Sequence, residues 1–288
     1  MAIRKAATSY NKKKIKPKSK PSIFRKIILW FFSMFIIAIV GSGAYHFRDG
    51  LLYYLGFKTN KNSNELSQKD RKIADVRIYE VLSTHENSVF GFDVSEYQGR
   101  IKWDEIGKVE DTFELSFVFI RATAGGNRVD KKFKRNWREA KNNNFICGAY
   151  HYYRPNENSI AQADNFIKTV TLNKGDFPPV LDIEKLPKTQ SIDSLKVGLR
   201  RWLNKVEKHY KVKPIIYSGE SYYTDFLKDE FSDYPFWIAN YNLWKKKPEK
   251  GWLMWQFTEK GKVEGINGMV DLNVFNGNFV KFISNVNP

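Results

Sequence analysis

The stretch Phe177-Pro-Pro-Val-Leu-Asp-Ile-Glu184 brings two carboxylates, Asp182 and Glu184, to positions i and i+2 of a short apolar run. Side chains two apart on a strand share a face, so both acids lie on one surface. Val180, Leu181 and Ile183 give the run strand character, Pro178-Pro179 can sit only at its start, and Lys185-Leu-Pro187 ends it. It reads as a short, mostly buried strand that ends in acid. Crowding and partial burial disfavour two adjacent charges, so one of the pair is expected to hold its proton to higher pH. A protonated acid beside an ionised partner is the pairing that protonates a leaving oxygen in glycoside hydrolysis. Alone, the Asp-x-Glu pair reads first as a solvated or ion-paired strand end, because perturbed acids mark sites only statistically. The neighbours decide.

Working outward, short apolar runs alternate with amphipathic stretches from Val89 onward. The expected strands are Val89–Val94, Leu115–Arg121, Phe145–Tyr152, Pro179–Glu184, Pro214–Tyr217, Phe236–Ala239, Leu253–Phe257 and Val270–Val274. Helical periodicity covers Lys131–Asn142, Ser159–Val170, Ser191–Tyr210 and, more weakly, Ser221–Leu227. Strand and helix in alternation mean parallel strands with right-handed crossovers. Eight strands in so short a stretch, the last three with little room for helices, imply an α/β fold, a closed TIM-like barrel smaller than the eight-fold form.

A barrel of this kind carries its site at the C-terminal ends of its strands. Those ends supply Asp93, Arg121, His151 with Tyr152, Asp182 with Glu184, Tyr217, Asn240 with Tyr241, Gln256 and Asp271. Acids recur at three of them, which a purely structural barrel has no reason to repeat. The abundance of aromatics, 16% of the chain, suits sugar faces, where a flat ring meets the pyranose and a polar tip hydrogen-bonds. It suits a large core equally.

The charge is uneven. Residues 1–26 carry ten of the Lys and Arg and no acid, out of a net +17. Ile27 to Tyr45 is then free of charge and long enough to cross a bilayer as a helix. The basic tail before a single span places the N-terminus in the cytoplasm and the rest in the periplasm or cell-wall space. A cleaved signal peptide ending near Ser42-Gly-Ala44 is the competing reading; the length of tail and span favours an uncleaved anchor. The Lys12–Lys20 run suits anionic lipid better than nucleic acid. The chain thus divides into a tail (1–26), a transmembrane helix (27–45), a juxtamembrane collar and linker (46–86), within which a helix from Asp70 is expected, and a barrel domain (87–288).

Cys147, the single cysteine, excludes an internal disulfide and reads as a small buried thiol. His46, His85, His151 and His209 lack the spacing of a zinc site. Nothing in the sequence calls for a metal or an organic cofactor, and nothing marks an oligomeric state.

Several blocks carry a family likeness. Phe92-Asp-Val-Ser-Glu-Tyr-Gln-Gly99 with Ile101 and Trp103, Gly148-Ala-Tyr-His-Tyr-Tyr-Arg-Pro155, Pro179-Val-Leu-Asp-Ile-Glu184, Trp237-Ile-Ala-Asn240, Trp255-Gln-Phe257 and Gly265-Ile-Asn-Gly-Met-Val-Asp-Leu-Asn273 resemble, in order, glycoside hydrolase family 25, the Chalaropsis-type lysozymes. The resemblance spans roughly Val89 to Phe279. It implies a barrel of five β/α units followed by three strands, and cleavage of peptidoglycan glycan strands after N-acetylmuramic acid. It implies Glu184 as general acid with Asp182 as its partner, Asp93 and Asp271 on the groove floor, and Tyr152, Tyr217 and Trp237 as sugar contacts. His151, Asn240, Gln256 and Arg121 join them as candidate substrate contacts. Cα atoms two apart on a strand are about 6.6 Å apart, which leaves retaining and inverting carboxyl separations both open. The family is held to retain configuration, with the substrate's N-acetyl oxygen attacking and Asp182 assisting. One departure is visible: Ala124, in Arg121-Ala-Thr-Ala-Gly-Gly126, stands where many members have glutamate. A non-catalytic, membrane-anchored glycan-binding scaffold on the same barrel is the alternative, and an endo-acting hydrolase of chitin-like chains a third reading.

Overall fold

Alternation along a single strand sets the architecture. In β3 (Phe113–Ala124), Val118 and Ile120 join the layer beneath the outer helices, while Phe117 and Phe119 join a second cluster that fills the barrel. Gly91 and Gly148 make room for them. A β-carbon on Gly91 would lie 2.4 Å from Phe117, and one on Gly148 would lie 2.1 Å from Phe119, so these glycines match small to large across the narrow interior.

The computed structural model describes Trp30, residues 32–38 and residues 68–285. Two compact units divide at residues 51 and 52. In the first, the described residues are helical, with exposed Trp30, Phe32, Phe35 and Ile37. The remainder of the expected span, the basic tail and residues 46–67 lie outside the described residues. Among the described residues no helix is long and apolar enough to cross a membrane.

In the second unit the order is α1 (Gln68–Thr84), β1 (Phe90–Val94), β2 (Lys108–Val109), β3, β4 (Arg128–Val129), α2 (Phe133–Asn142), β5 (Ile146–Tyr152), α3 (Ser159–Thr169), β6 (Val180–Asp182), α4 (Ile192–Tyr210), β7 (Ile215–Gly219), α5 (Glu220–Tyr222), β8 (Phe236–Ala239), β9 (Trp252–Gly261), β10 (Val270–Phe275) and α6 (Phe279–Ile283). A π-helical turn, Tyr223–Leu227, continues α5. Neighbouring strands run β1-β10-β9-β8-β7-β6-β5-β3, and β3 pairs back to β1. Eight strands therefore close. All neighbours are parallel except around β10, which is antiparallel to both β9 and β1. The expected strands and crossover helices are present, and β1 is followed by 3-10 turns rather than a helix.

Local sequence explains the helix ends. Asn158 and Ser191 cap α3 and α4 by accepting backbone N–H bonds, the usual service of these residues at a helix start. At the far end of the barrel, Asn278 caps α6. That helix plugs the bottom with Phe282, whose ring meets Phe117, Phe177 and Phe275 at centroid distances of 5.6, 5.3 and 5.2 Å.

One element differs from the linker expectation. The connection from β8 to the parallel β9 contains no helix, which would leave the outer face of β9 bare, and α1 packs there instead. Ile78, Val81 and Leu82 of α1 belong to the same core as Trp255 and Phe257. Arg71 donates to Lys260 O at 2.9 Å, and Glu80 pairs with Lys246 at 2.5 Å. The core of this unit thus includes residues upstream of Asn87. Ile78 is wholly buried, so Ile78→Ala should cost about 2–5 kcal/mol in urea unfolding. A protein beginning at residue 87 should melt lower than one beginning at 68; equal melting temperatures would detach α1 from the core.

Candidate active site

At the C-terminal mouth of the barrel lies a cleft of about 360 Å³. Strand pleat determines what enters it. Asp93 is the penultimate residue of β1, Tyr150 and Tyr152 alternate along β5, Asp182 ends β6 with Glu184 two residues on, and Tyr217, Trp237 and Gln256 follow on β7, β8 and β9. Asp271 enters from β10, the antiparallel strand, directly opposite Asp93. Four carboxylates line one small space.

Asp93 is held from two sides. Its Oδ2 accepts from Gln256 Nε2 at 2.7 Å and from Asn273 Nδ2 at 2.9 Å. Each amide is oriented in turn. The Oε1 of Gln256 accepts from the hydroxyls of Tyr217, at 2.8 Å, and Tyr241, and the Oδ1 of Asn273 accepts from Trp237 Nε1 at 2.9 Å. With both carbonyl oxygens so engaged, only the NH₂ groups can face the carboxylate.

Four tyrosine hydroxyls register the concentration of negative charge. Burial first, then surrounding carboxylates (for Tyr217, Tyr241 ahead of them), push the titration of Tyr150, Tyr152, Tyr217 and Tyr241 upward. Asp93, Asp182 and Asp271 act on Tyr150; Glu184 and Asp182 act on both Tyr152 and Tyr217. These hydroxyls stay protonated and serve as donors. Trp237 is only 2% exposed, packed at a tilt against Phe119 and edge-on to Tyr217, so it and Tyr217 make the floor.

The opposite wall is cationic and tied down. Arg121 gives Nε to Asp130 at 3.1 Å and Nη2 to Glu96 at 3.2 Å, beneath the Tyr97 ring. Glu96 also pairs with Arg128. Ala124 lies here, opposite Arg128 in the β3–β4 hairpin. Beside it Gly125 has φ +61, and a β-carbon there would strike Arg154 and Glu157, a position only glycine fills without strain.

The protein-family model for glycosyl hydrolases family 25 matches residues 92–266. The chain belongs to that family. It is 33% identical to Lysozyme M1 of Streptomyces globisporus over 216 residues, 70% of this chain and 72% of that protein. It is 43% identical to the uncharacterized protein YegX of Escherichia coli strain K12 over 194 residues, 66% of this chain and 70% of that one. Among solved structures, the family 25 glycosyl hydrolase from Bacillus anthracis superposes with a TM-score of 0.62 and 31% identity, covering 69% of this chain and 94% of that one. The chain is accordingly a glycoside hydrolase on an eight-stranded family 25 barrel.

Of the residues read from sequence, this family 25 cleft brings together Asp93, Arg121, Tyr152, Asp182, Glu184, Tyr217, Trp237, Gln256 and Asp271. Two fall elsewhere. His151 neighbours Tyr152 in sequence, so the pleat turns it to the outer face. There it is fully buried against Trp202, with Nδ1 2.7 Å from Thr123 Oγ1 and Nε2 3.1 Å from Gln162 Oε1. Because Gln162 Oε1 also accepts from Arg154 N, Nε2 carries the proton and Nδ1 accepts from Thr123. Asn240 lies past the end of β8, where its amide donates to Glu220 and its Oδ1 accepts from Asn242 N at 2.7 Å. It shapes the loop and does not line the cleft.

The cleft also contains Tyr97, Gln98, Arg128, Tyr150, Arg154 and Lys185. Parity alone would have found Tyr150, which shares a face with Tyr152. The others sit on a 3-10 turn, a two-residue strand or irregular segments, where no periodicity points.

Among the described residues no group of three or more His, Cys, Asp or Glu is arranged to hold a metal ion. Cys147 is buried and its thiol is pushed up to about 12 by that burial.

Burial lowers His151 to about 4 from the ordinary 6.5, against the Gln162 hydrogen bond that raises it. Below pH 6.5 the unfolded chain binds a proton that the folded chain refuses, so stability falls as pH drops from about 6.5 to about 4. The slope is about 1.4 kcal/mol per pH unit. Urea unfolding across that window should lose this slope in His151→Asn; parallel slopes in both proteins would exclude His151 as its source.

Proposed function

We propose that this chain is a lysozyme, a 1,4-β-N-acetylmuramidase that cleaves the bond between N-acetylmuramic acid and N-acetylglucosamine in peptidoglycan. The observation that carries this reading is the meeting of Asp93, Asp182, Glu184 and Asp271 in one tyrosine-lined cleft, on a chain whose relatives include Lysozyme M1. Charge of this density is costly to maintain and is what an oxocarbenium-like transition state requires nearby.

In the proposed reaction Glu184 gives its proton to the glycosidic oxygen as that bond to the anomeric carbon breaks. The carbonyl oxygen of the muramic acid N-acetyl group attacks the same carbon, and Asp182 orients the amide and offsets the positive charge that develops on it. Water then opens the cyclic intermediate, giving its proton to the Glu184 carboxylate, so configuration is retained and the acid restored. Asp182 faces this space between Tyr152 and Tyr217, its partners in register on β5 and β7, and their protonated hydroxyls suit donation to carboxylate or sugar.

The enzyme is further proposed to act from the bacterial cytoplasmic membrane, held by residues 27–45 with the basic tail inside and the barrel in the periplasm or cell-wall space. The charge-free run after ten cations supports that placement. Full-length protein should sediment with membranes and resist extraction by alkaline carbonate; release into the soluble fraction would remove the anchor.

With purified peptidoglycan, borohydride reduction of the soluble products followed by mass spectrometry should yield reduced muramic acid ends. Glu184→Gln should lower their rate of formation by at least about 100-fold, the low end for a general acid, while binding to the polymer persists. Saturable binding by wild type without any new ends would replace the lysozyme with a glycan-binding scaffold.

A further inference from the structure

Helix α1 precedes residues 92–266 that the family model matches, yet it is connected to the cleft. Arg77, on its inner face and only 5% exposed, donates from Nη2 to Asn242 O at 2.9 Å and lies 5.4 Å above the Trp255 ring. Trp255 in turn donates from Nε1 to Asn240 O at 2.9 Å. The two side chains therefore grip residues 240–242 through the carbonyls at either end, those of Asn240 and Asn242, and Asn240 N secures the segment to Gln256 O at 3.0 Å.

Between the gripped residues stands Tyr241. The residue as a whole is 41% exposed, but its hydroxyl reaches inward to Gln256 Oε1, the atom whose engagement turns the Gln256 NH₂ toward Asp93. We propose that Arg77 is a positioning residue of the active site, fixing residues 240–242 so that Tyr241 and Gln256 present Asp93 in one orientation. Stability alone accounts poorly for an arginine here. Its Nε and Nη1 have no hydrogen-bond partner among the described residues, and a buried charge with donors unmet is commonly outdone by an apolar side chain of similar volume. A guanidinium at this place is explained by what its remaining donor holds.

Kinetics on the full chain in its membrane form separate the two roles, this arm resting on the lysozyme reading. Arg77→Met should lower kcat by about tenfold, as small misplacements of catalytic groups do, with KM within about twofold. Arg77→Lys, which retains a donor, should recover most of it. Tyr241→Phe should lose as much, and the double variant Arg77→Met with Tyr241→Phe should be no slower than either single one. Ile78→Ala, a core truncation on the same helix, should retain kcat at a temperature where it is folded. Undiminished kcat in folded Arg77→Met, losses that multiply in the double variant, or an equal loss in Ile78→Ala would each overturn the proposal. Hydrogen exchange reads the same connection without turnover and so stands if wild type proves inactive. The Asn240 amide should exchange faster in Arg77→Met than in Ile78→Ala, and equal rates would overturn the positioning role.

Discussion

The pleat of a closed barrel is the constraint on which everything else depends. Once β3 returns to β1, every strand side chain must choose between a narrow interior and the layer under the helices, with no edge on which to compromise. Phe117 and Phe119 fill the interior below, and the same parity carries Asp93, Asp182, Glu184 and Gln256 into its upper end. Carboxylates face one another there because the apolar residues beside them, Phe92, Leu181 and Ile183, have taken the outer face.

This constraint also explains what could be read from sequence. Strands and acids were legible because Val, Ile and Phe runs terminate in polar residues, and those ends converge in any barrel of parallel strands. His151 misled because a strand end names a neighbourhood and not a face: Tyr150 and Tyr152 enter the cleft, and His151 between them cannot. Asn240 misled because it lies just past β8, where backbone geometry is set by hydrogen bonds invisible in sequence. The expected helix after Asp70 was real, yet its docking was hidden. Ile73, Val76 and Tyr79 remain exposed while Ile78, Val81 and Leu82 are buried, so apolar residues on several faces blurred the stripe that would have marked a packed helix. Tyr97 and Arg128 belong to a 3-10 turn and a two-residue strand, too short to impose any pattern.

The cleft's electrostatics are arranged by contrast. On the cationic wall each arginine is matched to an acid: Arg121 to Glu96 and Asp130, Arg128 to Glu96, Arg154 to Glu157. On the acidic side Asp93 accepts from two neutral amides, themselves oriented by tyrosine and tryptophan. Neutral donors stabilise a carboxylate without cancelling its charge.

The closing seam has a consequence for how the molecule is made. Phe90 pairs with Val274, and α6 seals the barrel floor from residues 279–283, so the first strand waits for the last strand and the plug. Contacts so distant along the chain form late and slowly. A chain delivered N-terminus first has nothing to close around until residues 270–283 emerge, and until then the interior phenylalanines stay open to other surfaces. Residues 270–283 therefore act as a latch on the timing of folding, a chaperone's concern more than an enzyme's.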